Sequence, residues 1–127
     1  MRGVEKSVVS LLWLPARAET TVRGPLGVVS PVSESGSRLP LERLPADQKH
    51  IAALCRSRGK PFLVVTQLLH SMIDHPSPTR AEVLDIYNAV LDGADCLMLT
   101  GETAQGRYPP EPADRLIRVA QEAEKAR

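Results

Sequence analysis

Two short runs set the strongest limit on what this chain can fold into: "PFLVV" at residues 61–65 and "CLML" at residues 96–99. Both are apolar without alternation. A strand with one face in water alternates apolar and polar residues, so an unbroken apolar run predicts a strand buried on both faces. Between the two lies "AEVLDIYNAVLDG", whose Val83, Tyr87, Val90 and Leu91 form a helical stripe closed by Gly93. Two buried strands joined through a helix imply a parallel pair with a crossover. The chain therefore reads as α/β.

The flanking segments extend that order. "ADQKHIAALCRSRGK" predicts a preceding helix, with Ile51, Leu54 and Cys55 at helical spacing and Gly59 as its stop. After Pro109, Pro110 and Pro112, "ADRLIRVAQEAEKAR" predicts a last amphipathic helix using Leu116, Ile117 and Ala120. "GVV" at residues 27–29 is a candidate earlier strand, and residues 66–82 read as a long polar connection. Residues 20–45 are rich in Pro, Ser and Gly, the composition of an exposed loop or insertion. The start, "MRGVEKSVVSLLWLPARAET", has the outline of a targeting segment, with a basic beginning, an apolar stretch and an Ala-Arg-Ala step. A divergent strand is the competing reading.

Charge excludes one class of partner. Sixteen Lys and Arg are interspersed with fifteen Asp and Glu, for a net charge of +1. A phosphate backbone is normally met by clustered cations, so no nucleic acid is expected. No run approaches the roughly 20 apolar residues that cross a bilayer, so no membrane span is expected either. Cys55 and Cys96 form no CxxC pair and read as buried free thiols.

Ligands of parallel α/β folds bind beyond the carboxyl ends of the strands. Thr66 directly follows "FLVV" and Thr100 directly follows "CLML". Each hydroxyl can donate and accept, which suits a substrate oxygen, but a threonine there can equally end a strand and cap the next turn. "TRAE" at residues 79–82 matches a capping box, with Thr79 and Glu82 bonding reciprocally and Arg80 left over for a partner. His70 and His75, on one loop without a cysteine cluster, are weak metal candidates. "GETAQG" lacks the Gly-Lys-Ser/Thr of a phosphate-binding Walker loop.

Three stretches in order, "PTRAEV", "NAVLDGAD" and "MLTGETAQGRYP", closely resemble pyruvate kinase, and the likeness runs over residues 39–109. The resemblance implies a fragment of a TIM (β/α)8 barrel, its last two or three β/α units, spanning residues 39–127 behind a divergent segment at 1–38. It implies phosphoryl transfer from phosphoenolpyruvate to ADP, giving pyruvate and ATP, with magnesium and potassium, in a homo-oligomer that is a tetramer in the family. The compartment it implies is the cytoplasm, or an organelle if the start is a targeting segment. By the same resemblance Thr66 and Gly24 contact substrate, and Thr100 stands for a serine that relays a proton in the enol-to-keto step. Arg80 stands where the family joins the substrate site to a neighbouring subunit.

The departures concern charge. The family places a lysine and a glutamate two residues apart on an earlier strand, then an "RGDLG" loop. The lysine steadies the enolate, and the glutamate and the loop aspartate hold magnesium. No Lys-x-Glu precedes residue 39 here. Two registers compete for the loop: one aligns "RGPLGVVSP" at residues 23–31, putting Pro25 at the aspartate, and the other puts Glu34 there. Gln105 stands where the family commonly has lysine. The resemblance thus implies family membership with the metal ligands incomplete, and a chain inactive alone. The alternative is a non-catalytic fragment that docks on full-length subunits.

Overall fold

The computed structural model describes residues 14–15, 27–29, 41–65 and 67–127. The targeting reading, Gly24, the two loop registers and Thr66 fall outside these residues, Leu14 and Pro15 apart. The strands are β1 (Leu14–Pro15), β2 (Gly27–Val29), β3 (Phe62–Val65) and β4 (Cys96–Met98). The helices are α1 (Leu44–Ser57), α2 (Arg80–Asp92), α3 (Gly101–Ala104) and α4 (Pro110–Lys125). Single 3-10 turns lie at Leu41–Arg43 and His70–Ile73.

The architecture is α/β. The sheet order is β1-β4-β3-β2, with β2, β3 and β4 mutually parallel and β1 antiparallel to β4. Leu63 pairs with Cys96 and Val65 with Met98, so β3 and β4 end together at one edge. Both faces of these strands are buried, as the missing alternation predicts. Phe62, Val64, Leu97 and Leu99 join the main core, while Leu63, Val65 and Cys96 form a second cluster with Met98 on the opposite face.

The helices cover the main core with faces somewhat different from those expected. On α2 the fully buried residues are Ile86, Ala89 and Val90; Val83 and Tyr87 are partly buried, and Leu91 is 38% exposed. On α1, Ala52 is buried, Ile51 and Cys55 flank it, and Leu54 is 39% exposed. The buried line on α4 is Pro112, Leu116, Val119 and Ala123, with Ala120 packed beside it. The cause is geometric: small alanines such as Ala52, Ala89 and Ala123 let a helix approach closely, so the contact line includes them while Leu54 and Leu91 fall beside it. Both cysteines are free thiols; Cys96 is buried, but Cys55 is only half-buried. Among the described residues no helix is long and apolar enough to cross a membrane.

The helix ends obey their local sequence. Thr79 caps α2 in the expected box, its hydroxyl accepting the Glu82 N–H while Glu82 accepts the Thr79 N–H. Gly93 ends the helix at φ +106°, and Arg56 from α1 donates to the Asp92 carbonyl beside it at 2.6 Å. Lys49 pairs with Asp92 from the same side. At the opposite edge from the strand ends, Asp95 accepts the Phe62 N–H at 2.9 Å and returns its own N–H to the Phe62 carbonyl at 2.8 Å.

Candidate functional site

Among the described residues, two connections leave the carboxyl edge of the sheet, and three tethers bind them to each other and to α2. The first, following β3, is polar by composition but not a loose loop. Leu68, Leu69 and Met72 are 4%, 0% and 0% exposed, and the chain tightens into the 3-10 turn at His70–Ile73. Gln67 enters it at φ +53°, a left-handed backbone that a non-glycine residue adopts only when its surroundings compel it. Alternate residues are then held from outside. Leu69 N–H donates to Glu102, Ser71 N–H and hydroxyl donate to Glu82, and the Ile73 carbonyl accepts Arg107 N–H at 2.9 Å.

The second connection is the turn after β4, where Thr100 precedes the four-residue α3. A cap would spend the Thr100 hydroxyl on a backbone N–H of that helix. It does not: Thr100 makes no side-chain capping bond, and among the described residues the one hydrogen-bond partner of its half-buried hydroxyl is the Glu102 carboxylate, at 3.5 Å. The other hydroxyl of the turn, on Thr103, donates to the Thr100 carbonyl and is used internally. Gly106 closes the turn because its backbone lies directly against the Glu102 carbonyl oxygen, where any Cβ would collide.

Glu102 is the residue that local reading of the sequence passed over. It is 1% exposed, and among the described residues it is the only buried charged side chain. A buried carboxylate loses hydration worth several kcal/mol and persists only where donors replace the water. Here Oε1 accepts Leu69 N–H at 3.1 Å and Oε2 accepts Thr100 N–H at 2.9 Å. The two strand-end connections are thus joined through one side chain. A single carboxylate in a turn that leaves a buried strand is the only sequence signal that could have singled it out.

Glu82 shapes the rim. Burial alone would raise its carboxyl, but hydrogen bonds from Ser71 and Thr79 more than reverse this and hold it below the ordinary glutamate range. Asp85, one turn along α2, is raised by burial and then by the negative charge of Glu82. A cleft of about 390 Å³ lies between α1 and α2, lined by Gln48, Lys49, Asp85, Asn88 and Asp92 over Val64 and Leu68.

Of the sequence candidates, Thr100 and Arg80 are described. Arg80 begins α2, exposed and without an ion pair among the described residues. Thr66 and Gly24 lie outside the described residues, so their meeting with Thr100 is not seen. His70 and His75 gather no partners: among the described residues no three His, Cys, Asp or Glu side chains group as a metal site would need.

The chain is similar to known proteins in sequence and in fold. The family model described as "Pyruvate kinase, barrel domain" matches residues 23–113, beginning inside the segment set apart as 1–38. Pyruvate kinase of Thermotoga maritima is 47% identical over 109 residues, covering 86% of this chain and 23% of that protein. Pyruvate kinase of Dictyostelium discoideum is 46% identical over 98 residues, covering 77% and 19%. The crystal structure of a pyruvate kinase from Cryptosporidium parvum superposes with a TM-score of 0.71 at 41% identity, covering 77% of this chain and 20% of that one. The chain therefore spans about a fifth of the length of the relatives it matches.

Proposed function

The chain belongs to the pyruvate kinase family, and from that premise we propose that it forms the last two or three β/α units of a TIM (β/α)8 barrel. Parallel β2, β3 and β4, with α1 and α2 in the crossovers and site connections at the carboxyl edge, support this reading. Its role is to present the Thr100 hydroxyl where phosphoenolpyruvate, having lost its phosphoryl group to ADP, is protonated from enol to keto form as pyruvate. The observation that carries the assignment is that this hydroxyl sits at the carboxyl end of β4 and caps nothing. A hydroxyl that can both accept and donate suits a proton relay. Thr66 would face the same substrate from the end of β3, and Gly24 would offer a backbone N–H from the loop ahead of β2.

The charged part of the reaction needs more than this chain's described residues. Magnesium would supply positive charge to the phosphoryl oxygens and enolate, with potassium assisting. The described donors do not fit either ion: Glu102 and Glu82 spend their oxygens on internal N–H and O–H groups. We assign no metal ligand and no enolate-stabilising cation to this chain, and we infer that it does not turn over alone. The assay is direct: purified chain with phosphoenolpyruvate, ADP, magnesium and potassium, coupled to pyruvate detection. No turnover above a protein-free control is expected; clear turnover would overturn the claim. The positive test is a chimera in which residues 39–113 replace the matching stretch of the Thermotoga maritima pyruvate kinase. It should retain activity and lose about 100-fold in kcat on Thr100→Val. Unchanged kcat would remove Thr100 from the reaction.

A second reading has its own observation. Arg80, Leu84 and Leu91 are separated by four and seven residues, so they share one face of α2, and Leu84 and Leu91 are 47% and 38% exposed. Such a face suits docking on another subunit of the family, whether in a homo-oligomer or as a non-catalytic fragment on a full-length partner.

A further inference from the structure

We propose that Glu102 is the positioning residue of this edge, setting the orientation in which the Thr100 hydroxyl meets a ligand and tying it to the connection after β3. The proposal rests on the reading of Thr100 as a substrate-facing hydroxyl, but not on any ligand being bound.

The geometry carries it in three steps. First, Glu102 reaches backbone donors on both connections, Leu69 at 3.1 Å and Thr100 at 2.9 Å, one with each carboxylate oxygen. Displacing either connection leaves an oxygen of a side chain only 1% exposed without a donor, so the two move together or not at all. Second, Glu102 Oε2, which accepts the Thr100 N–H, also lies 3.5 Å from the Thr100 hydroxyl. One carboxylate oxygen therefore faces both the backbone and the side chain of Thr100, which favours a single side-chain rotamer. Third, two equivalent acceptor oxygens are needed. In Glu102→Gln one oxygen becomes an NH2 and faces a backbone N–H, donor against donor. A glutamine of the same size can serve one connection but not both.

The test uses the isotopically labelled full chain and NMR. Three-bond couplings from the Thr100 methyl carbon to its backbone nitrogen and carbonyl carbon report the side-chain rotamer. The wild type should show one rotamer. Glu102→Gln and Glu102→Ala should show averaged couplings, with amide exchange at Leu69 or Thr100 faster by about ten-fold or more, as expected when a local hydrogen bond is lost. Amides of Val64 and Ile86 should be unchanged, separating the effect from unfolding. A single Thr100 rotamer in Glu102→Gln, with the core intact, would overturn the proposal. Should neither variant fold, the wild type decides. Scalar couplings across the hydrogen bonds, from the Leu69 and Thr100 nitrogens to the Glu102 carboxyl carbon, must be present, and their absence overturns it. Phosphoenolpyruvate added to the wild type tests the underlying reading separately. A Thr100 methyl that does not shift argues against a substrate-facing hydroxyl while leaving the Glu102 couplings as they were.

Discussion

Glu82 holds Ser71 twice, accepting its amide at 2.7 Å and its hydroxyl at 2.6 Å, across a gap of eleven residues. The same carboxylate completes the cap of α2 through Thr79. One side chain therefore starts a helix and pins the 3-10 turn that follows β3. Thr79→Ala should cost about 1 kcal/mol, the usual loss of an N-cap. Glu82→Ala should cost about 2 kcal/mol, because Ser71 also loses a charged acceptor. Chemical denaturation of the two variants checks the order; an equal cost would mean that the Ser71 bonds contribute nothing.

The same pair predicts an acid response. Glu82 titrates below its ordinary value of 4.5 in the folded chain, so its contribution is present above that value and is lost as pH falls through the lower, folded one. Asp85 acts with the opposite sign: its value is raised above 3.8, so its unfavourable charge is relieved as pH falls. The two partly offset in global stability, and the local signal is the cleaner one. Amide exchange at Ser71 should lose protection as pH falls below the ordinary glutamate value of 4.5 and through the lower folded one, beyond the intrinsic change, while Ile86 stays protected. In Glu82→Gln that acid step should be absent.

How much of this was legible beforehand follows from where each residue's environment is set. β3 and β4 could be read because burial on both faces leaves an unbroken apolar run, a local signal. The α2 cap could be read because Thr79 and Glu82 are three residues apart. The connection at 66–82 was misjudged as merely polar, since Leu68, Leu69 and Met72 are buried by a tight turn that follows no helix or strand period. Glu102 was missed as a site residue for a stronger reason. Its burial is made tolerable by the Leu69 N–H, 33 residues away, and no local pattern carries that.

Gly106→Ala should unsettle the turn that carries Thr100. A Cβ at this position meets the Glu102 carbonyl oxygen, part of the backbone, so no flexible side chain can move aside. The turn must open, and Glu102 must shift with it. The expected result is loss of amide protection at Thr100 and Leu69 together. Protection lost at neither residue would show that the turn can relax without moving the carboxylate.

Gly93→Ala is a contrasting case in which conformation and not space decides. The new Cβ would lie 2.8 Å from the Arg56 guanidinium, the far end of a side chain that can swing away. The backbone at φ +106° cannot be escaped so easily, and a left-handed alanine costs about 1 to 2 kcal/mol. Thermal unfolding should report a loss of that size. Arg56→Ala should not rescue it, because the strain resides in the glycine's own dihedral angle. Full recovery in the double variant would instead make the guanidinium contact the cause.

The outward face of α2 gives the last prediction. Leu84 is 47% exposed one turn beyond Arg80, and Leu91 lies on the same face two turns further along. None of the three holds the core, which on this helix is made by Ile86, Ala89 and Val90. Substitutions there should leave folding almost unchanged, within about 0.5 kcal/mol, as is usual for exposed positions. If the face docks on a subunit of the family, Arg80→Glu combined with Leu84→Asp should abolish co-purification with a full-length pyruvate kinase, while circular dichroism and the melting temperature stay at wild-type values. Binding that survives the double substitution would place the contact elsewhere. Absence of co-purification by the wild-type chain would remove the docking reading and leave the barrel reading to stand on the chimera.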